Sequence, residues 1–211
     1  MEIEPEEGAP IPARPSPDII IRPSSDADVE AMVAIYEHHI GKGVGNVADF
    51  DDEARLLPDD LKRRRKTMRK KRLPHLVAER GGQVAGYAYA VPFRKRPAYR
   101  YTLKHSIYVH PDHLHAGIGR RLLPALIEAC AAGGYRQMIG YIDAQNEASL
   151  RLHEACGFVR VGLLPAVGYK YGRWSDSVMV QCALGTGSTD QPGTWTRPVE
   201  AVVAGHDWIG K

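Results

Sequence analysis

The stretch of this 211-residue chain richest in potential chemistry is IYVHPDHLHAGIGRR, residues 107–121. A β-branched strand runs into a turn, and two glycines one residue apart open an amphipathic helix. The first N–H groups of a helix have no partner within it, and the helix dipole favours negative charge there, so the pattern suits an anion. Gly117 and Gly119 would let backbone close on a phosphate without a Cβ in the way. Arg120 and Arg121 add positive charge. The natural ligand is a diphosphate, although an ordinary tight turn gives the same pattern. No G-x-x-x-x-G-K-[ST] and no G-x-G-x-x-G is present, which argues against a P-loop and a dinucleotide site.

A second stretch, NEASLRLHEACGF (146–158), follows an apolar strand and places Asn146 and Ser149 at a helix start. Both could touch a ligand lying beside that strand; Asn146 could equally be only an N-cap. Two basic clusters stand out. Arg94, Lys95 and Arg96 follow a strand, and residues 62–72 (KRRRKTMRKKR) hold nine cations in eleven positions. Such a block serves nucleic acid or membrane surfaces in some proteins. Here Asp49, Asp51, Asp52, Glu53, Asp59 and Asp60 lie just upstream, so a solvated helix face accounts for it.

The elements that must position these residues follow from periodicity. Residues 18–22 read as a strand, and Ser25 caps a helix to about residue 40. Residues 51–72 read as helical with a break near Pro58. Strands follow over 75–79, 83–93 and 99–110. A helix spans about 117–132, with Ile118, Leu122, Leu123, Leu126, Ile127 and Cys130 on one face. Pro124 inside it should kink it or delay its start. A strand at 137–143, a helix from Asn146 to Gly157, and strands over 158–168 and 175–184 complete a mixed α/β sheet fold.

Length and composition suit one folded domain over 18–184. Residues 1–17 carry five prolines and four glutamates and read as a disordered tail; 185–211 read as a loose second tail. No run is long and apolar enough for a membrane span, and the N-terminus lacks the apolar core of a secretory signal, so a cytoplasmic protein is expected. The formal net charge of +3 gives no global argument for nucleic acid. Cys130, Cys156 and Cys182 read as buried thiols, and no Cys/His spacing calls for a metal.

The two glycine- and asparagine-bearing segments resemble the acetyl-CoA motifs of the GNAT superfamily of N-acetyltransferases. Further stretches narrow the likeness to its phosphinothricin and methionine sulfoximine N-acetyltransferase branch: IRPSSDADVEAMVAIYEHHI, LVAERGGQVAGYAYA, RPAYRYT, SIYVHPDH, NEASLRLHEACGF and VGYKYGRWSD. The resemblance covers about 18–184. It implies a GNAT fold: a mixed, mostly antiparallel sheet, splayed between its fourth and fifth strands and flanked by helices. It implies an enzyme that uses acetyl-CoA as cosubstrate, without a metal, to acetylate the amino group of a small amino-acid-like substrate, and a homodimer. Backbone groups of Ile107, Tyr108 and Val109 would bond the pantetheine arm. Those across His115, Ala116, Gly117, Ile118, Gly119 and Arg120 would hold the diphosphate, with Asn146 and Ser149 beyond. Arg94, Lys95 and Arg96 would meet the substrate carboxylate.

Two departures matter. Leu114 stands where the branch has Gln or Arg, a modest loss if backbone groups carry the phosphates. Lys104 stands where the branch has the Glu that deprotonates the substrate ammonium, and a lysine is no base at neutral pH unless burial lowers its pKa greatly. His105 has a suitable ordinary pKa, but strand alternation sends it to the other face, and a bulge would be needed to swing it round. His153 matches a histidine of this branch. The base is therefore His153, His105 or a water chain. Lys104 also leaves open an acetyl-CoA-binding module with weak or no catalysis, and an enzyme for another small amine.

Overall fold

Short β-branched and aromatic runs between turns build the sheet. The computed structural model describes residues 18–41, 57–170, 172–192, 202–203 and 206–207. The strands are β1 (Ile19–Pro23), β2 (His75–Arg80), β3 (Gln83–Pro92), β4 (Thr102–Val109), β5 (Gln137–Asp143), β6 (Val159–Lys170) and β7 (Arg173–Ala183). Their order is β1-β2-β3-β4-β5-β7-β6, and β4–β5 is the parallel pair among antiparallel neighbours. The helices are α1 (Val29–Gly41), α2 (Pro58–Lys70), α3 (Ile118–Ala132) and α4 (Glu147–Ala155).

Several expectations need adjusting. A 3-10 turn over Asp26–Asp28 precedes α1, and its buried Asp28 carboxylate accepts from the Ser25 N–H at 2.6 Å and hydroxyl at 2.9 Å. Burial alone would raise the Asp28 pKa; bonds from Arg22 and Ser25 outweigh it and hold it at about 2. The described part of the second helix begins at Pro58, the N1 position where proline needs no N–H partner. Helix α3 runs through Pro124 from an on-time start at Ile118. Residues 1–17 and 42–56 lie outside the described residues. Within 185–211, Val202–Val203 (β8) pairs with His206–Asp207 (β9), where only a loose tail was expected.

Each face of the sheet has its own core. On one, Leu76, Ala88, Leu103, Met138 and Val180 pack with Leu122, Leu123 and Leu126 of α3. On the other, Val77, Tyr87 and Tyr108 meet Val29, Met32, Ile35 and Tyr36 of α1. Helix α2 buries Leu61 and Met68 and turns most of its cations outward, where Lys62 pairs with Asp59 and Arg63 with Asp60, as a solvated face requires; Arg65 instead folds inward, 10% exposed, against Ser24 and Asp26.

The feature that positions the site is an opening in the sheet. Strands β4 and β5 pair at Thr102–Gln137, Leu103–Met138 and Lys104–Ile139, and there the pairing stops. Both strands continue, β4 against β3 and β5 against β7, so the sheet splays rather than ends.

Candidate active site

The ladder dictates which backbone groups face the opening. The Thr102 carbonyl accepts from Phe93, and the His110 N–H donates to Ala85, so even-numbered residues of β4 spend their backbone groups on β3. The β3–β4 register has no bulge. Alternation therefore turns Ile107 and Val109 toward the gap and Tyr108 away from it. Tyr108, expected to bond the arm, gives its backbone to the β3 ladder, although it is among the residues lining the opening. Its ring instead joins the α1 core, 5.0 Å from Tyr87 and 5.8 Å from Tyr36. On the gap side His39 Nε2 donates to the Val109 carbonyl at 2.8 Å.

A cavity of about 650 Å3 passes through the opening and joins the two faces. At one end is the turn into α3. His115 (φ 59°) and Gly117 (φ 83°) both take left-handed backbone conformations, which is costly for His115 and free for Gly117. The first helical bond runs from the Arg121 N–H to the Gly117 carbonyl, so the N–H groups of Ile118, Gly119 and Arg120 have no partner inside α3. His115, Gly117, Ile118, Gly119 and Arg120 all line the cavity. Ala116 does not; it packs against the core. Gly119 is a glycine for a second reason, because a Cβ there would sit 2.8 Å from Leu152 Cδ2 on α4. Asn146 and Ser149 border the same space, and Asn146 is also the N-cap of α4, accepting from the Ser149 N–H at 3.1 Å. Its N-cap bond and its place on the cavity wall are compatible with each other.

At the vertex of the splay, β4 and α4 bring together two histidines 48 positions apart in sequence. Nε2 of His105 lies 2.9 Å from Nε2 of His153, and the Phe158 ring flanks both at 5.0 Å. His105 is 3% exposed and His153 2%. Burial, then the neighbouring His153, pushes the His105 pKa down to about 3, and burial pushes His153 down as well, so both rings are neutral at physiological pH. The expected bulge is not needed: His105 does face away from Lys104, but the cavity crosses the sheet and reaches it there. Gly140 of β5 makes the room, since a Cβ on it would lie 2.8 Å from His105 Cε1.

The other predicted residues stand elsewhere. Lys104, at the last paired position, is half-buried on the α1 face and is not part of the cavity wall. Arg94, Lys95 and Arg96 are exposed outside it, with the Arg94 guanidinium 5.2 Å from the Phe93 ring and 5.3 Å from Tyr99. Sequence reasoning missed His38, His39, Ser106, Gly140 and Tyr141, all lining residues. Two signals were available: adjacent histidines closing an apolar helix, and a glycine inside a strand, which marks close approach. Among the described residues no group of three or more His, Cys, Asp or Glu is placed to hold a metal ion.

Comparison with known proteins agrees with this geometry. The model of the acetyltransferase (GNAT) family matches residues 46–158. A phosphinothricin N-acetyltransferase of Alcaligenes faecalis is 45% identical over 82% of this chain and 86% of its own length. An L-methionine sulfoximine/L-methionine sulfone acetyltransferase of Salmonella typhimurium is 37% identical over 78% of this chain and 94% of its own. The crystal structure of a phosphinothricin acetyltransferase from Sinorhizobium meliloti, in complex with acetyl-CoA, superposes with a TM-score of 0.80 at 36% identity, covering 85% of this chain and 96% of that one. With its parallel pair splayed beside a glycine-opened helix, the chain belongs to the GNAT family of acetyltransferases.

Proposed function

We propose that this protein transfers the acetyl group of acetyl-CoA to the amino group of a small, amino-acid-like substrate of the phosphinothricin or methionine sulfoximine kind. The observation that carries the reading is the interrupted β4–β5 ladder, whose cavity runs without a break from the α3 N-terminus to the buried histidines. The cofactor fits the groups present. The N–H groups of Ile118, Gly119 and Arg120, with the turn at His115 and Gly117, suit a diphosphate. Backbone groups of Ile107 and the N–H of Val109 face the gap, where the amides of an extended arm would complete the ladder. When bound, acetyl-CoA supplies an activated acyl carbon. The protein's own part is to aim it, keep water from the vertex and accept the amine's proton. His105 and His153 are the groups placed for that last task; Lys104 is not.

Lys104 also favours a second reading, a module that binds acetyl-CoA without turnover. Thermal stabilisation by acetyl-CoA, measured beside thiol release against a panel of amino acids and their sulfoximine, sulfone and phosphinate analogues, separates the two. Stabilisation with thiol release on one class supports the enzyme. Stabilisation with no release on any amine supports the module, and neither response rejects both.

The assembly inferred is a homodimer, supported by edge strand β6, which exposes Val159, Val161, Leu163, Leu164 and Val167. Sedimentation of a Leu163→Lys variant as a monomer is the expected result. The cytoplasm is the compartment inferred, in keeping with three cysteines outside any disulfide.

A further inference from the structure

The hydrogen bonds around the histidine pair fix its protons. Nδ1 of His105 lies 3.0 Å from the Ile139 carbonyl oxygen, which can only accept, so that nitrogen carries a hydrogen. Nδ1 of His153 lies 2.7 Å from the Ser149 carbonyl oxygen and 3.4 Å from the Ser149 hydroxyl. The nearer carbonyl governs, so this nitrogen also carries a hydrogen. A neutral imidazole has one N–H. Two neutral rings held this way turn bare Nε2 lone pairs toward each other across 2.9 Å, a normal hydrogen-bond length with no hydrogen in it. The partners of the two rings are each other, Ile139, Ser149 and Phe158, none of them charged; Lys104 is on the opposite face of β4.

We propose that His105 and His153 act as one base with a single shared proton site between their Nε2 atoms, filled and emptied once per acetyl transfer. The proposal rests on the acetyltransferase reading of the site. The substrate ammonium first loses one proton to solvent. The amine lone pair then forms the C–N bond at the thioester carbonyl, and the proton left on the positive nitrogen moves into the site. The C–S bond breaks with its electron pair on sulfur, and the shared proton passes to the thiolate. The products are amide, thiol and one proton in solution. A shared site differs from a lone histidine base because either ring alone would keep its lone pair but lose the partner that stabilises the protonated form.

Two measurements test it. In 15N-histidine-labelled protein at neutral pH, long-range 1H–15N couplings should show both His105 and His153 as Nδ1–H tautomers; an Nε2–H tautomer on either ring overturns the proposal. Asparagine offers a donor near the place of Nδ1 but nothing at Nε2, so His105→Asn and His153→Asn each delete half the site while keeping the outer bond. Each should lower kcat by about 10²-fold or more with acetyl-CoA affinity unchanged. The double variant should lose no more than the worse single one, as for residues acting as a unit; multiplied losses overturn the proposal. The tautomer measurement needs only the wild-type protein and decides even if a variant does not fold. Absence of wild-type thiol release on every amine would instead reject the underlying enzyme reading.

Discussion

Gly140→Ala tests whether the histidine at the vertex is held by a missing side chain. The added Cβ would lie 2.8 Å from His105 Cε1 and 3.0 Å from Val180 Cγ2. Neither neighbour can yield cheaply. Val180 is 0% exposed, and the His105 ring is fixed by the Ile139 carbonyl at 3.0 Å and by His153 at 2.9 Å. Overpacking a core by one methyl costs about 1–3 kcal/mol. Replacing a strand glycine with alanine returns about 0.5–1 kcal/mol through the unfolded chain. The net loss should be about 1–2 kcal/mol, a fall in Tm of about 2–8 °C for a chain of this size. If the ring swings aside to relieve the clash, the facing nitrogens separate, and kcat should fall by up to about 10²-fold. The turn proposed to hold the diphosphate lies on another element, so acetyl-CoA affinity should hold. Urea melts, steady-state kinetics and calorimetric titration with acetyl-CoA read the three quantities. Parental stability and kcat together, or a loss confined to acetyl-CoA affinity, would refute the reasoning.

Lys104→Glu should raise kcat/KM on amino-acid substrates, because it exchanges a half-buried cation, two residues from the lining residue Ser106 and on the same face of β4, for an anion that attracts an ammonium; thiol-release kinetics decide, and no gain counts against the idea. His75 is buried and its pKa falls from 6.5 to about 3, through desolvation first and Arg65 second. The unfolded chain therefore binds a proton that the folded one refuses, so stability is lost as pH falls from 6.5 toward 3, by about 2 kcal/mol at pH 5; urea titrations should show this slope weakened in His75→Gln. Gly117→Ala forces an L side chain into φ 83°, which should cost about 1 kcal/mol and weaken acetyl-CoA binding with little change in kcat at saturation, read by calorimetry.

The strands and α3 were legible because local periodicity and local burial coincide: Leu122, Leu123 and Leu126 are spaced for one helix face, and that face is the core. The left-handed turn into α3 was legible too, since its glycines and its helix start are contiguous. The meeting of His105 with His153 was not, because it depends on how α4 lies across the sheet. Nor was the position of Arg94, Lys95 and Arg96, whose charge fits a solvated edge as well as a carboxylate. Tyr108 was assigned to the arm by its place in the motif, whereas the direction of its backbone is fixed by the partner strand β3.

A one-residue step along a strand ordinarily exchanges faces and so destroys a site. At the end of the β4–β5 ladder that rule loosens. Lys104 and His105 point to opposite faces, yet the sheet opens immediately beyond them, and one cavity borders both Ser106 on the α1 face and His105 on the α4 face. On the proposed reading, a base absent from one face is supplied from the other without moving the backbone. A lysine at position 104 need not silence the enzyme for this reason, provided the proposed proton acceptor on the far face is in place. Gly140 is the residue that admits it, by leaving the space that the His105 ring occupies.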